Sequence, residues 1–502
     1  MNLTQLVFSF FGHRLKEIEA LYAHPAETQQ KQLQHLIKSA KDTEWGKHYD
    51  YRSIKNYNNF ANNVPTQTYE EVKLYVKRML DGEKNLIWPT KIDWFAKSSG
   101  TTNDKSKFLP VSYESLHDCH YRGAKDCLAF YSRINPESQL FGGKSLILGG
   151  SHKISSLINN TFVGDLSAIL IQNNPFYTNW IRTPDREVAL MDEWEAKLER
   201  IVETTFKQDV RSLSGVPSWM LVMIKRVLEK TGKTHLTEVW PNLELFLHGG
   251  VSFRPYREQY KELIPSDKMH YVENYNASEG FFATQNDLTD SAMLLMIDYG
   301  IFFEFIPFSE YGDENPNIVP LWEVEVGKNY AVVISTNSGL WRYKLGDTVT
   351  FTSTAPYKIR ITGRTKHHIN AFGEELMIDN AEKGLMTACA QTGAIVREYT
   401  AAPVFMSTKS KGHHQWLIEF DKLPNSVEEF TNILDKSLQE INSDYEAKRY
   451  KDITLTPLEI VVAHNNLFVD WLKSKGKLGG QHKVPRLSNS REYIDELLLI
   501  NR

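Results

Sequence analysis

Cysteine is scarce: three in 502 residues, Cys119, Cys127 and Cys389, with no CxxC pair and an odd total. That argues against a disulfide framework and a structural zinc site, and for a reducing compartment. A basic excess is lacking as well, since 58 Lys plus Arg stand against 62 Asp plus Glu for a formal net charge of -4. Wrapping nucleic acid draws on phosphate neutralisation, so nucleic-acid binding is disfavoured as the main activity. No stretch approaches the ~20 apolar residues that span a bilayer. The apolar run from Leu6 to Phe11 is too short for a secretory core, with no basic residue before it and no small-residue cleavage site after it. Long Gly, Ser or Pro tracts and 20 to 50 residue repeats are missing too. These absences lead to the expectation of a soluble cytoplasmic protein, without membrane or nucleic-acid partners, whose first helix packs Leu6, Phe10 and Leu15 on the body.

What is present is globular: 41% hydrophobic, 12% aromatic and 24% charged residues, enough for a large core. The first ninety residues read as mainly helical. QQKQLQHLIKSAK has apolar spacing near 3.6, and TYEEVKLYVKRMLDGE places Val72, Tyr75, Val76 and Met79 on one face before Gly82 stops it. Beyond that, helical segments such as DEWEAKLERIVETTF and SWMLVMIKRVLEKTG alternate with short apolar runs, LFLHGGV, MLLMIDYGIFFEFIP and YAVVIST. This alternation predicts a mixed α/β fold. Near ITGRTKHHINAFGEEL a strand ends and a helix-like EELMIDNAEKGLMTAC begins, followed by HQWLIEF, a helix through EEFTNILDKSLQEIN, and PLEIVVA. The expected organisation is therefore a large body, residues 1–365, and a small α+β unit, residues 366–502.

Six segments carry possible chemistry. Ser98, Ser99, Gly100, Thr101 and Thr102, with Lys105 and Lys107 close behind, offer backbone N–H groups, hydroxyls and positive charge to a polyphosphate. It is not a Walker A loop, and the alternative is an ordinary hydroxyl-rich turn. Gly249 and Gly250 end an apolar run, where missing side chains let a flat ligand approach the backbone. Tyr275, Ser278 and Glu279 put an aromatic face, a hydroxyl and a carboxylate on one short stretch, suited to stacking a base and holding Mg²⁺; the alternative is a strand end with a buried tyrosine. Asp347, after Gly346, is placed either to accept ribose hydroxyls or simply to close a turn. Arg364 stands at the expected boundary. Near the C-terminus, Lys473, Lys475, Lys477, Lys483 and Arg486 cluster around three glycines, as a solvated face or as a swinging cation. The paired histidines, His367 with His368 and His413 with His414, sit in no metal motif and read as solvated or core residues.

Taken in order, SSGTT with Lys107, YNASEG, WRYKLGDTV, the GRTK segment and QHKVPR resemble the adenylate-forming superfamily of acyl and aryl ligases. Within it, VPTQTYEEVKLYVKRMLDGE, SGVPSWMLV, LHGGVSFRPYREQY and ENYNASEGF are similar to the acyl-acid-amido synthetases of the auxin-responsive Gretchen Hagen three family. The resemblance runs from about residue 40 to the C-terminus. It implies the adenylate-forming enzyme fold, in which a β-barrel and two helix-packed sheets make the large domain and a small α+β domain is mobile. It also implies a reaction in which ATP and a carboxylic acid give an acyl-adenylate and pyrophosphate, after which an amine, typically of an amino acid, takes the acyl group.

The resemblance assigns roles residue by residue. Ser98 to Thr102 with Lys107 would hold the outer phosphates, Tyr275 would stack adenine, Glu279 would hold Mg²⁺, Asp347 would take the ribose hydroxyls, Arg364 would assist, and Lys483 would reach the α-phosphate from the small domain. Lys477 is the rival for that last role, because the superfamily's usual lysine run is replaced here by QHKVPR. Asn103-Asp104 stands where many superfamily members have glycine or proline. For the acyl pocket, Val216, Trp219, Met220 and Met223 offer an apolar wall or, equally, one face of a core helix. Thioester formation with coenzyme A, and a nucleotide-binding scaffold without turnover, are the alternatives; neither the acid, the amine nor the oligomeric state is written in the sequence.

Overall fold

The computed structural model describes residues 3–99, 106–149, 155–156, 160–191, 193–253, 256–365, 368–407, 410–452, 454–475 and 484–501. Gly100 to Lys105 of the hydroxyl-rich loop, His367, Lys477 and Lys483 lie outside them.

The fold is the expected mixed α/β arrangement. One sheet has twelve strands: from one edge, Val319–Pro320, Ile301–Pro307, Asn329–Thr336, Tyr343–Thr354, Tyr357–Arg364, Met293–Leu295, Gly280–Thr284 and His270–Ala277. Each of these is antiparallel to the next, and Leu245–Gly249, Val210–Gly215, Lys144–Ile147 and Arg182–Thr183 follow in parallel. Parallel strands need crossover helices, and Pro217–Thr231 is one such connection, between Val210–Gly215 and Leu245–Gly249. A four-stranded sheet carries Trp94–Ser99 between Ser106–Val111 and Phe162–Gly164. The C-terminal unit has its own three-stranded sheet, Ile395–Val404, His413–Lys422 and Glu459–Val462, covered by the helices Ile378–Thr392 and Val427–Ile441.

Local sequence explains the elements. The helix Tyr69–Leu80 opens on a Thr68/Glu71 capping box and buries Val72, Val76 and Met79 at positions i, i+4 and i+7. Gly82 then adopts φ 89°, a conformation that a side chain would strain. The helix Pro217–Thr231 has proline in its first turn and ends on Gly232 at φ 66°.

Two expectations are corrected. In the first helix, Leu3–Ala23, Leu6 and Phe10 are 48% and 72% exposed, and only Leu15 of the three is buried. The inward face is instead Thr4, Phe8, Phe11, Leu15, Ile18 and Tyr22, a spacing of alternately four and three. Arg14 turns in beside it to meet Asp126 at 2.8 Å and Asp298 at 3.0 Å. The second correction is the start of the helix in EELMIDNAEKGLMTAC, which begins at Ile378; Glu375 has φ 37°, and Leu376–Met377 is a short strand.

The hydrophobic core is not confined to the body. One buried cluster joins Met220, Met223, Phe246 and Tyr256 of the body to Phe372, Trp416, Leu434 and Leu438 of the C-terminal unit. The seam is also hydrogen-bonded: the Tyr256 hydroxyl donates to the Ala371 carbonyl, Ser218 Oγ donates to the Phe372 carbonyl at 3.2 Å, and Lys225 Nζ to that of Ser407 at 2.7 Å.

Candidate active site

The strand Trp94–Ser99 brings Ser98 opposite Lys107 on its antiparallel neighbour, and Ser99 opposite Ser106. Serine and lysine are thus on adjacent strands at the mouth of the hydroxyl-rich loop. Lys107 lies with its ammonium 5.9 Å from the Tyr69 ring centre. Desolvation pushes its pKa down, against the pull of Glu279 and Glu375.

Tyr275 lies two residues before the end of the strand His270–Ala277, and Ser278 and Glu279 form the turn into Gly280–Thr284. The Tyr275 ring is 6% exposed and edge-on to Phe282 at 4.8 Å. Its hydroxyl donates to Asp347 Oδ2 at 2.5 Å. Desolvation, with the Asp347 carboxylate adding to it, keeps that phenol protonated. Glu279 stays partly exposed, yet desolvation raises its pKa to about 7, with Lys107 pulling the other way. A carboxyl held half protonated at neutral pH is a group for which a cation is a better partner than its present surroundings.

Asp347 is directly across from Arg364 in the pairing of Tyr343–Thr354 with Tyr357–Arg364. Arg364 Nε meets Asp347 Oδ1 at 3.0 Å and its terminal nitrogen meets Glu375 Oε1 at 2.9 Å. Asp347 Oδ2 thus accepts from Tyr275 while Oδ1 is ion-paired with Arg364, and among the described residues each oxygen keeps a lone pair for a ligand hydroxyl. Glu279, Lys107, Arg364, Asp347 and Tyr275 act electrostatically on one another, so the structure brings near one another residues that the sequence presented in separate motifs.

Gly249 is paired with Asn274, the residue before Tyr275, on the neighbouring strand. A Cβ on Gly249 would meet the Asn274 carbonyl oxygen at 2.3 Å, so the neighbouring strand itself demands glycine there. Gly250 has φ 83° and faces Val216. Of the acyl-wall residues, Met220 and Met223 are fully buried in the core, Trp219 in the first turn of their helix is 8% exposed in the same cluster, and Val216, at the N-cap, is partly buried against it. The Lys448 ammonium lies 4.3 Å over the Trp219 ring. A separate cleft of about 740 Å³, lined by Leu33, Ile37, Lys38, Tyr57 and Trp322 among others, shares no residue with the site.

Sequence reasoning missed Glu375 and Lys448. Glu375 lies within the boundary segment ITGRTKHHINAFGEEL, where no motif set it apart. Lys448, in the helix Ser443–Arg449, lies in a charged stretch that reads as a solvated face. Of the paired histidines, His414 is a core residue, bonded at 2.8 Å to buried Glu374, and His413 meets Glu459 at 3.2 Å. Among the described residues no group of three or more His, Cys, Asp or Glu side chains has a metal-binding arrangement, and no helix is long and apolar enough to cross a membrane.

Comparison with known proteins decides the family. Models of the GH3 family match this sequence in three parts, the N-terminal domain over residues 14–269, the central domain over 294–364 and the C-terminal domain over 379–492. The chain belongs to the GH3 family. Indole-3-acetic acid-amido synthetase GH3.4 of Arabidopsis thaliana is 25% identical to it, over 94% of this chain and 91% of that protein. Jasmonoyl–L-amino acid synthetase JAR4 of Nicotiana attenuata is 23% identical over 94% and 92%. Among solved structures, the GH3.15 acyl acid amido synthetase in complex with 2,4-DB superposes with a TM-score of 0.63 at 19% identity, covering 97% of this chain and 95% of that one. A 2-hydroxyisobutyryl-CoA ligase, in complex with 2-HIB-AMP and CoA, gives 0.56 at 12% identity over 97% and 93%. The chain thus shares its fold with a protein named as a CoA ligase as well as with an amido synthetase, and the fold alone does not choose between amide and thioester.

Proposed function

We propose that this GH3 protein is a cytoplasmic ATP-dependent acyl-acid-amido synthetase, which activates a carboxylic acid as its acyl-adenylate and passes the acyl group to an amino acid. The observation that carries the proposal is the joined set Tyr275, Asp347 and Arg364 beside Glu279 and Lys107. The named amido synthetases over nearly the whole chain favour the amide.

In this reading Asp347, oriented by Tyr275 and Arg364, accepts the ribose hydroxyls through its remaining lone pairs. Adenine lies by Tyr275 and the Gly249-Gly250 backbone, and Ser98 to Thr102 with Lys107 take the outer phosphates. Glu279 suits Mg²⁺, since a divalent cation would displace the proton that desolvation favours on that carboxyl. When bound, Mg²⁺ supplies charge neutralisation on the phosphates and a template for in-line attack. The chain's own cations matter for the same reason: a carboxylate must approach a phosphate, and preorganised Lys107 and Lys483 reduce that repulsion. Residues 366–502 act as the lid that carries Lys483, and Val216 and Trp219 border the acyl pocket.

The test is pyrophosphate–ATP exchange over a broad panel of carboxylic acids, followed by mass analysis of products with amino acids or with coenzyme A. Exchange should require one of the acids and fall by about 10²-fold or more in Lys483→Ala. If no acid supports exchange, the enzyme reading is wrong; if only coenzyme A consumes the adenylate, the product is a thioester and the amide is wrong.

A further inference from the structure

Lys448 belongs to the C-terminal unit but points its ammonium into the body. The helix that bears it, Ser443–Arg449, packs against Trp94–Ser99, the strand that delivers Ser98 and Ser99. The ammonium lies 4.3 Å over the Trp219 ring. Its Nζ is 3.6 Å from where a Cβ on Gly373 would stand, and Gly373 itself has φ 89°. Asp165, at the N-cap of Leu166–Asn173, and Glu374, Glu375 and Asp444 contribute charge around it. Two of those carboxylates are engaged elsewhere, Glu374 with His414 at 2.8 Å and Glu375 with Arg364 at 2.9 Å. Desolvation is the largest influence on Lys448 and lowers its pKa against the pull of these carboxylates, so the ammonium sits desolvated where the strand, Trp219 and the C-terminal unit converge.

The charges of the nucleotide end are accounted for by phosphates, ribose and Mg²⁺. Two carboxylates enter the proposed reaction. The acid's own carboxylate is consumed at the α-phosphate, whereas the amino acid keeps its carboxylate throughout and needs a cation to receive it. We propose that Lys448 receives the α-carboxylate of the amino-acid acceptor and holds the acceptor along Trp219, which makes it a specificity-determining residue for acceptors that carry a carboxylate. This rests on the amide-forming reading above. In the transfer the amine nitrogen bonds the acyl carbon, and the carbon–oxygen bond to phosphate breaks. AMP leaves with that electron pair, and the two protons lost between ammonium and amide go to solvent.

The experiment uses the full-length chain with any acid that supports pyrophosphate exchange, and compares wild type with Lys448→Met and Lys448→Arg. Amide formation is measured with an amino acid and with the corresponding decarboxylated amine. Lys448→Met should keep exchange within about twofold, which also shows that it folds. It should raise the KM for the amino acid about 10- to 100-fold, the range of a lost charge-assisted bond. The decarboxylated amine should react equally with both proteins, and Lys448→Arg should recover much of the amino-acid KM. A rise in the acid's KM during exchange would place Lys448 in acid activation and overturn the assignment. Equal losses with both amines, or no loss with either, would overturn it as well. Absence of exchange with every acid would remove the amide-forming reading and this assignment with it, a failure visible before any acceptor is added.

Discussion

Two arginines in this chain hold carboxylates, and they differ in what they have left over. Arg342 is 5% exposed against a fully buried Glu304 and gives hydrogen bonds from all three of its nitrogens: Nε and one terminal nitrogen to Glu304 at 2.8 to 3.1 Å, the other to the carbonyls of Ala61 at 2.8 Å and Val64 at 2.7 Å. Tyr57 adds a hydroxyl to the same carboxylate at 3.1 Å. Arg364 and its partner Glu375 are each 22% exposed, and Asp347 has lone pairs unspent. A saturated, covered cluster fixes the positions of chain segments, here the helix Tyr57–Asn63 against two sheet strands. An unsaturated cluster at the edge of a cleft can still bind something. The difference between scaffold and site is hydrogen-bonding capacity, not residue type.

The comparison breaks most visibly at the scaffold. Arg342→Met strands a buried carboxylate, and thermal or urea unfolding should show a loss of about 3 to 5 kcal/mol; a loss below about 1 kcal/mol would mean that the cluster is not structural. Next in size, Asp347→Ala should reduce pyrophosphate exchange by about 10²-fold, chiefly through weaker ATP use, while the melting temperature stays within a few degrees. If Asp347→Ala instead unfolds the protein with Arg342-like severity, the distinction fails.

A smaller effect sharpens the comparison through pH. Glu279 binds its proton more tightly when folded, with a pKa of about 7 against an ordinary value near 4.5. Between those values the folded state holds more protons than the unfolded state, so this group's contribution to stability falls as pH rises from about 4.5 to 7. Glu279→Gln, compared with wild type without Mg²⁺, should be equally stable at pH 4 and more stable by about 2 kcal/mol at pH 8. A constant difference across that range would contradict the desolvated carboxyl. The smallest effect is expected for Glu375→Gln, about 0.5 to 1 kcal/mol in kcat/KM, because Arg364 keeps its bond to Asp347; a loss as large as that of Asp347→Ala would make Glu375 a full member of the site.

Local patterns made much of this legible. The helices Tyr69–Leu80 and Pro217–Thr231 have the apolar spacing and end signals read from sequence, and most of the short apolar runs are strands. Of the charged residues expected to act together, Lys107, Glu279, Asp347 and Arg364 influence one another electrostatically, while Lys483 lies outside the described residues. What escaped depends on distant pieces of chain. That Leu6 and Phe10 face outward follows from where Phe141, Asp126 and Asp298 lie, and a helical pattern viewed alone cannot weigh an inward Arg14 against an outward phenylalanine. Glu375 reaches Arg364 because of a single positive φ, and Lys448 meets Trp219 across 229 positions of chain, a juxtaposition that no periodicity encodes.

The core shared between body and C-terminal unit bears on timing. A lid touching its body only through polar contacts would drift open and shut at little cost. Here any large rotation of residues 366–502 would bring Phe372, Met406 and their partners on Pro217–Thr231 into water, at about 25 cal/mol for each Å² uncovered. If residues 366–502 act as the proposed lid, opening would be an infrequent, all-or-none excursion with its own rate constant, and the docked arrangement would be the one a passing substrate meets. The turnover clock of such an enzyme would be set as much by how often that greasy seam parts as by how fast phosphate and carboxylate react.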